Sequence, residues 1–476
     1  MSDPNRIQPK PDAAAWPTGR SFLLLLAAAL IVAFPKVVLG LHTFFYRDFA
    51  ACCYPLNFYS RDAFLHGQLP LWNPYSECGL PHLAQLGQWY PPVLLALFLP
   101  MPWGIQHIEA RADRKTDLRL VSILATLLLL MLALVWVAGK YPFPDDQWNL
   151  TAWNTFWRAI LMLVLAGGIL LLPRLQNSAA RMAVQLIVLA VLPLVALTHS
   201  PGIAPTLPGT VLAPGLWQAS GRPPPPKLGE GRVMISPDAE QRFLYSRVPD
   251  FEPDLTDKRL AEWYNFNLLD HVPKVNGAIP LHSAYFDLIE QRLYYTSGSH
   301  FGQGLLDFLS VAWFSASDNP AQWLARTNFL SLITAGQKPA FADDEISLSA
   351  ITASDFDPCK VVYLPESERS RVAVTNQTLG TPTNARFGLN RVEADVNAAA
   401  PSLVVLSQCY YHLWRAFVDG RPVPLLRANL AFQAVGVPAG THHVKLIYRD
   451  PDLETGTIIS ALSLAAGGLI WLRVPK

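Results

Sequence analysis

The chain has 476 residues, of which 51% are hydrophobic and only 15% charged, with a formal net charge of +1. Ordinary soluble domains are roughly 25% charged, so this balance indicates a membrane protein with a sizeable soluble part. A near-neutral net charge argues against a nucleic-acid binder, which would need a basic face.

Residues 1–20 are polar, carry Arg6, Lys10 and Arg20, and read as a cytoplasmic tail. Residues 21–41 form the first apolar segment, with Lys36 placed to snorkel. A cleaved signal peptide is the competing reading, but the length and the lack of a clear Ala-x-Ala favour an uncleaved span. Residues 42–88 are a polar and aromatic loop with Arg47-Asp48, Arg61-Asp62 and the run Leu69-Pro70-Leu71-Trp72-Asn73-Pro74-Tyr75. A carboxylate such as Asp48 at the edge of hydrocarbon is a functional candidate by default. A solvated loop acid beside an arginine is the plainer alternative.

Apolar segments recur at Trp89–Trp103, Leu118–Ala138, Phe156–Leu172, Met182–Leu197 and Gly456–Leu472. Arg111, Arg114, Lys115 and Arg119 follow the second segment, Arg174 and Arg181 the fourth, and Arg473 with Lys476 the last. The positive-inside rule then predicts both termini in the cytoplasm and the large soluble part outside. The predicted fold class is a polytopic α-helical membrane protein of about six transmembrane segments, with helices 2–5 in 89–199.

Residues 200–229, rich in proline and glycine, read as a stiff linker. Residues 230–341 read as a mixed α/β region with helical stretches at Leu260–Leu269 and Pro320–Thr334. Residues 342–455 read as a small β-sandwich opening with alternation over Glu345–Ala350. Leu389–Val396 also alternates, Ser402–Leu406 is a buried-type run, and Asp419-Gly420 is a hairpin signal between Trp414–Val418 and Val423–Leu426.

Two ordered motif sets carry a resemblance. The first is Arg47-Asp48, then Gly67-x-Leu69-Pro70-Leu71-Trp72-Asn73-Pro74-Tyr75, Gly79-x-Pro81 and Tyr90-Pro91. The second is Leu406–Tyr411, Trp414, Val418-Asp419-Gly420, Asn429, Val437-Pro438-Ala439-Gly440 and Tyr448. Together they resemble the YfhO family of bacterial membrane proteins, relatives of the GT-C glycosyltransferases that use polyprenyl-phosphate sugars. This chain resembles a member shortened in the membrane domain. The resemblance implies a multi-pass protein of the bacterial cytoplasmic membrane that moves a sugar from a polyprenyl-phosphate donor to an envelope glycopolymer or lipid.

On that resemblance Asp48 is the catalytic base, taking a proton from the acceptor hydroxyl. Arg47 and Arg61 would hold the donor phosphate through bidentate contacts, or anchor lipid headgroups. Trp72, Asn73 and Tyr75 would form a sugar platform, with Trp89 beside them, or a rigid packed turn. The alternative function is a non-catalytic relative that binds or assembles in the envelope.

No residue set reads as a metal site, since Cys-x-x-Cys is absent and His42, His66 and His82 are irregularly spaced. A divalent metal cofactor and an oligomeric state stay open. Of five cysteines, Cys359 with Cys409, or Cys78 with Cys52 or Cys53, are the disulfide candidates outside the cytoplasm, against buried thiols.

Overall fold

A computed structural model describes residues 35–44, 49–82, 114–141, 148–171, 206–245, 251–278, 281–295 and 302–473, with isolated positions in 27–31 and 174–187. The chain divides into two compact units. One comprises Met1–Tyr46 and Trp89–Gly209, the other Arg47–Gln88 and Thr210–Lys476.

The first unit contains the helices Arg114–Lys140 and Trp148–Leu171, which pack on each other. Trp148 seats against Gly139 and donates its indole N–H to the Val135 carbonyl at 3.1 Å. Strands His42–Phe44 and Thr206–Pro208 pair antiparallel.

The second unit is richer in sheet. Helix α1 (Tyr54–Leu65) buries Leu56, Tyr59 and Ala63 and has Pro55 in its first turn, where a missing N–H costs nothing. Strands β1 (Trp72–Asn73) and β2 (Leu80–Pro81) form a short antiparallel pair. Strand β3 (Arg232–Met234) runs parallel to β4 (Val311–Ser315), which pairs antiparallel with β5 (Trp323–Ala325). Around them lie α2 (Pro237–Leu244), α3 (Phe251–Leu260), α4 (Ala284–Glu290) and α5 (Gln303–Phe308). Strand β6 (Ile333–Ala335) leads to β7 (Lys338–Phe341), helix α6 (Asp344–Thr352) and β8 (Val361–Leu364), with β7 and β8 parallel.

The C-terminal part holds two sheets. Strands β9 (Gly380–Phe387), β10 (Arg391–Ala398), β12 (Trp414–Val418), β13 (Arg421–Val423) and β16 (Gly440–Tyr448) form one, in the order β9-β10-β16-β12-β13. Strands β11 (Ser402–Cys409), β14 (Leu425–Ala428) and β15 (Phe432–Val437) join β6 in the other, in the order β14-β15-β11-β6. Helix α7 (Pro451–Arg473) follows.

Alternation decides which side chains enter the core, because strand neighbours point to opposite faces. Val392, Ala394 and Val396 of β10, Ala416 and Val418 of β12, and Val444 and Leu446 of β16 share one core with Val404, Val405, Ala434 and Val435 of the other sheet. All eight residues of β11 are buried, since the helices cover its other face. Phe432 of β15 meets Phe308 of α5 edge-on, with ring centroids 4.8 Å apart.

The expected polytopic helical core is overturned. Among the described residues no helix is long and apolar enough to cross a membrane. Crossing takes about 20 consecutive apolar residues. The uninterrupted apolar runs are shorter: Leu127–Gly139 after Thr126, Ala159–Leu171 after Arg158, and Leu464–Leu472 after Ser463. The segments Trp89–Trp103 and, for the most part, Met182–Leu197 lie outside the described residues. The six-segment topology falls with this finding.

Three local expectations are corrected as well. Glu345–Ala350 is helical, because Asp343 caps α6 by accepting from the Ile346 amide at 2.8 Å and Asp344 and Glu345 favour its first turn. Pro320–Thr334 holds strands rather than a helix, since Trp323–Ala325 pairs with β4 and Ile333 onward with β11. Within Leu260–Leu269 α3 ends at once, and Glu262 and Tyr264 take left-handed conformations before a single 3-10 turn at Phe266–Leu268. Cys359 and Cys409 are not joined. Cys409 and Cys78 are buried thiols whose Sγ atoms donate to the carbonyls of Glu77 and Val275.

Candidate functional site

The loop 49–82 is folded into the second unit from several sides. Tyr59 donates its hydroxyl to the Trp72 carbonyl at 2.7 Å. The Asn73 side chain accepts from the Tyr75 amide at 2.9 Å, the local bond that sets an Asx turn. Asn390, just before β10, holds the loop by both ends of its amide. Its Oδ1 accepts from the Trp72 amide at 3.1 Å and its Nδ2 donates to the Leu69 carbonyl at 2.7 Å. At Gly79, with φ +106°, a Cβ would stand 2.8 Å from the Trp72 ring, so the close approach requires glycine. The Cys409 amide donates to the Cys78 carbonyl at 3.0 Å, tying the loop to the end of β11.

His82 is buried against Ser60, whose Oγ is 2.7 Å from its Nε2. Desolvation pushes its imidazole down to about 4, so it stays neutral at physiological pH.

These contacts place the residues named from the sequence. Arg47, Asp48 and Trp89 lie outside the described residues. Arg61 is exposed on α1, and its neighbour Asp62 stands 3.2 Å from His271 Nε2. Trp72 and Asn73 are fully buried, while Tyr75 is half-buried. Trp72 and Tyr75 therefore do not share one exposed face.

The two motif sets meet at a cleft of about 410 Å³. Leu71 and Pro81 of the loop line one side, Tyr411, His412 and Tyr448 the other, and Asp450 and Asp452 the rim. Beneath it lies an aromatic cluster. Trp72 sits 5.2 Å from Tyr448 and Trp414 5.6 Å from Tyr448, centroid to centroid. Tyr411 is stacked over Tyr448 at 6.2 Å with planes 24° apart, and His412 lies 4.5 Å from Tyr411. The Trp72 and Trp414 indole N–H groups are both buried without a hydrogen-bond partner. Burial first, then the neighbouring Tyr411 and Asp450, push the Tyr448 phenol well above its usual range, so it stays a neutral hydroxyl.

Asp450 and Pro451 open α7: the Asp450 Oδ1 accepts from the amides of Asp452 and Leu453 at 3.1 and 3.0 Å. This is an N-cap followed by proline in the first turn, readable from Asp-Pro-Asp before an apolar run. That signal, overlooked at the level of sequence, locates the rim. Tyr411 and Tyr448 are in the second motif set, yet only the register of β16 beside β12 brings them over Trp72.

An aromatic wall rimmed by carboxylates suits a polar ligand with apolar ring faces: rings stack on C–H faces and carboxylates accept from hydroxyls. A mixed α/β body ending in a two-sheet module, with such a cleft against an upstream loop, is the class of protein that fold and site define. Residues 348–460, from α6 into α7, match the family model described as bacterial membrane protein YfhO. The match covers this C-terminal domain, which is similar to that family of bacterial membrane proteins. No curated protein and no solved structure matches the chain.

Proposed function

We propose that this protein transfers a sugar from a polyprenyl-phosphate donor to an envelope glycopolymer or lipid, on the outer face of the bacterial cytoplasmic membrane. The observation that carries this reading is the cleft in which Leu71 and Pro81 face Tyr411 and Tyr448 under the carboxylates of Asp450 and Asp452. The acceptor glycan would lie there. Asp48 would take the proton of the attacking hydroxyl as its oxygen bonds to the sugar C1 and the lipid phosphate departs. Arg47 and Arg61 would balance the charge on that phosphate, by paired N–H contacts to its oxygens. The test is transfer of radiolabelled sugar from a panel of polyprenyl-phosphate donors by full-length protein in liposomes. Loss of transfer in Asp48→Asn with the fold intact is expected. Transfer by that variant at the wild-type rate would remove Asp48 from the mechanism.

A second reading, a non-catalytic envelope protein that binds glycan or assists assembly, is favoured by the full burial of Trp72 and Asn73. Packed into the body, these two hold the cleft rather than stack on a sugar. Glycan binding by wild type without transfer from any donor is the outcome that selects this reading.

A further inference from the structure

Away from the cleft, three side chains from separate stretches converge. Glu77 comes from the turn after Tyr75, His282 from the segment before α4, and Glu290 from the end of α4. One donor atom from each lies within 4.8 Å of the others. His282 Nδ1 is 2.9 Å from Glu77 Oε1 and 3.6 Å from Glu290 Oε2. The Glu77 side chain is 1% exposed and that of Glu290 5%, while His282 is 35% exposed and opens the cluster to solvent.

Both Glu77 oxygens are sealed from water, and beyond the 2.9 Å approach of His282 Nδ1 to Oε1 neither makes a hydrogen bond. A buried carboxylate normally gathers such bonds or a partner that cancels its charge. The surroundings add more negative charge than positive. Glu290 and Asp287 act on Glu77, Glu240, Glu262 and Glu290 act with Glu77 on the buried Lys274, and Arg232 acts on Cys78 next door. Glu77 itself takes the left-handed conformation, φ +53°, that a non-glycine residue holds only when its surroundings fix it.

We propose that Glu77, His282 and Glu290 bind a first-row divalent cation, such as zinc or manganese. An imidazole nitrogen with two carboxylates is a donor set for these ions. Donor atoms tetrahedral about an ion at ~2.1 Å stand roughly 3.4 Å apart, close to the separations already present. The half-exposed side of His282 leaves a fourth position for water or a ligand. Two carboxylates cancel the charge of the ion, and the buried Glu77 carboxylate gains a second partner. The ion would pin the turn after Tyr75 to α4. This site is independent of the proposed sugar transfer and stands or falls separately.

Binding must displace a proton. In the metal-free protein His282 Nδ1 faces the carboxylates of Glu77 and Glu290. Nδ1 becomes a ligand only when that proton leaves.

The experiment uses full-length protein stripped with EDTA and titrated with zinc chloride by calorimetry in two buffers of different ionisation enthalpy. Metal content after dialysis is measured in parallel. One zinc per chain is expected, with protons released on binding. His282→Gln, a half-exposed change that leaves the fold intact, should weaken binding at least about ten-fold. Glu290→Gln is the second variant if it folds by circular dichroism. A double variant His442→Gln/His443→Gln removes the exposed His–Asp pairs and should leave the stoichiometric site unchanged. Absence of stoichiometric zinc, or equal affinity in folded His282→Gln, overturns the proposal. Binding lost only in the His442/His443 double variant overturns it too.

Discussion

Trp72 of the upstream loop meets Trp414 of β12 edge to face, with ring centroids 5.3 Å apart and planes at 84°. Both indoles are about 1% exposed or less, so the contact is interior. Edge-to-face pairing adds about 0.5–1.5 kcal/mol to what burial alone supplies. The contact joins the two motif sets: each supplies half of one aromatic core.

Truncating Trp72 to alanine is expected to destabilise the second unit by about 3–5 kcal/mol, the range for large aromatic cavities. Trp72→Phe should cost less, because most of the apolar volume stays. Urea unfolding followed by tryptophan fluorescence measures both. A loss under about 1 kcal/mol for the alanine variant would mean the loop does not fold into this core.

Gly79→Ala tests the close approach to the same ring. The φ of +106° and the 2.8 Å gap to Trp72 both oppose a Cβ, and we expect a loss of about 1–3 kcal/mol. Gly436→Ala is the matched control on β15, where nothing lies within 4 Å of a new Cβ. Its effect should stay within about 0.5 kcal/mol. Equal unfolding midpoints for the two variants would contradict the packing described.

Tyr411→Phe and Asp452→Asn address the polar groups of the cleft while keeping its aromatic floor. Each should weaken acceptor binding by roughly 1–2 kcal/mol, about a ten-fold rise in KM for acceptor, with kcat nearly kept. Steady-state kinetics over a range of acceptor concentrations separates the two constants. A fall in kcat at constant KM would place these residues elsewhere in the cycle.

Metal-free protein should lose stability as pH rises through a defined window. Burial raises the Glu77 carboxyl from 4.5 to about 7, and bonds to Glu290 and Glu77 raise the His282 imidazole from 6.5 to about 10. A raised folded value means the group favours folding below its unfolded value and stops doing so above its folded one. The Glu77 contribution therefore fades between about 4.5 and 7, and that of His282 between 6.5 and about 10. The stability gap between wild type and His282→Gln, both in EDTA, should be widest below pH 6.5 and close by pH 10. A gap that widens with pH would show that His282 is not held protonated by these carboxylates.

Much of the C-terminal fold is legible in the sequence because its signals are local. The alternation at Leu389–Val396 becomes β10 with Val392, Ala394 and Val396 inward, and the run from Ser402 becomes the wholly buried β11. Asp419-Gly420, with φ values of +51° and +78°, makes the two-residue turn that twisted hairpins favour. Legibility fails where a few residues outvote a pattern. Asp343 at a cap turns an alternating stretch into α6, and strand pairing overrides the helical look of Pro320–Thr334. The candidate cleft and the Glu77 cluster were hidden for another reason. Both depend on residues far apart in sequence, whose meeting follows from strand register and helix placement rather than from spacing.

The second unit is discontinuous, beginning with Arg47–Gln88 and resuming at Thr210. The ribosome therefore releases Trp72 long before Trp414, Tyr448 and Asn390 exist. At ordinary elongation rates the delay is on the order of tens of seconds. Throughout it, Tyr59, Trp72 and Leu80 are apolar surface without a core to enter. Nascent chains halted before β12 should thus be the vulnerable species, recognised by chaperones or degraded. Maturation of this protein is set by the arrival of its last strands.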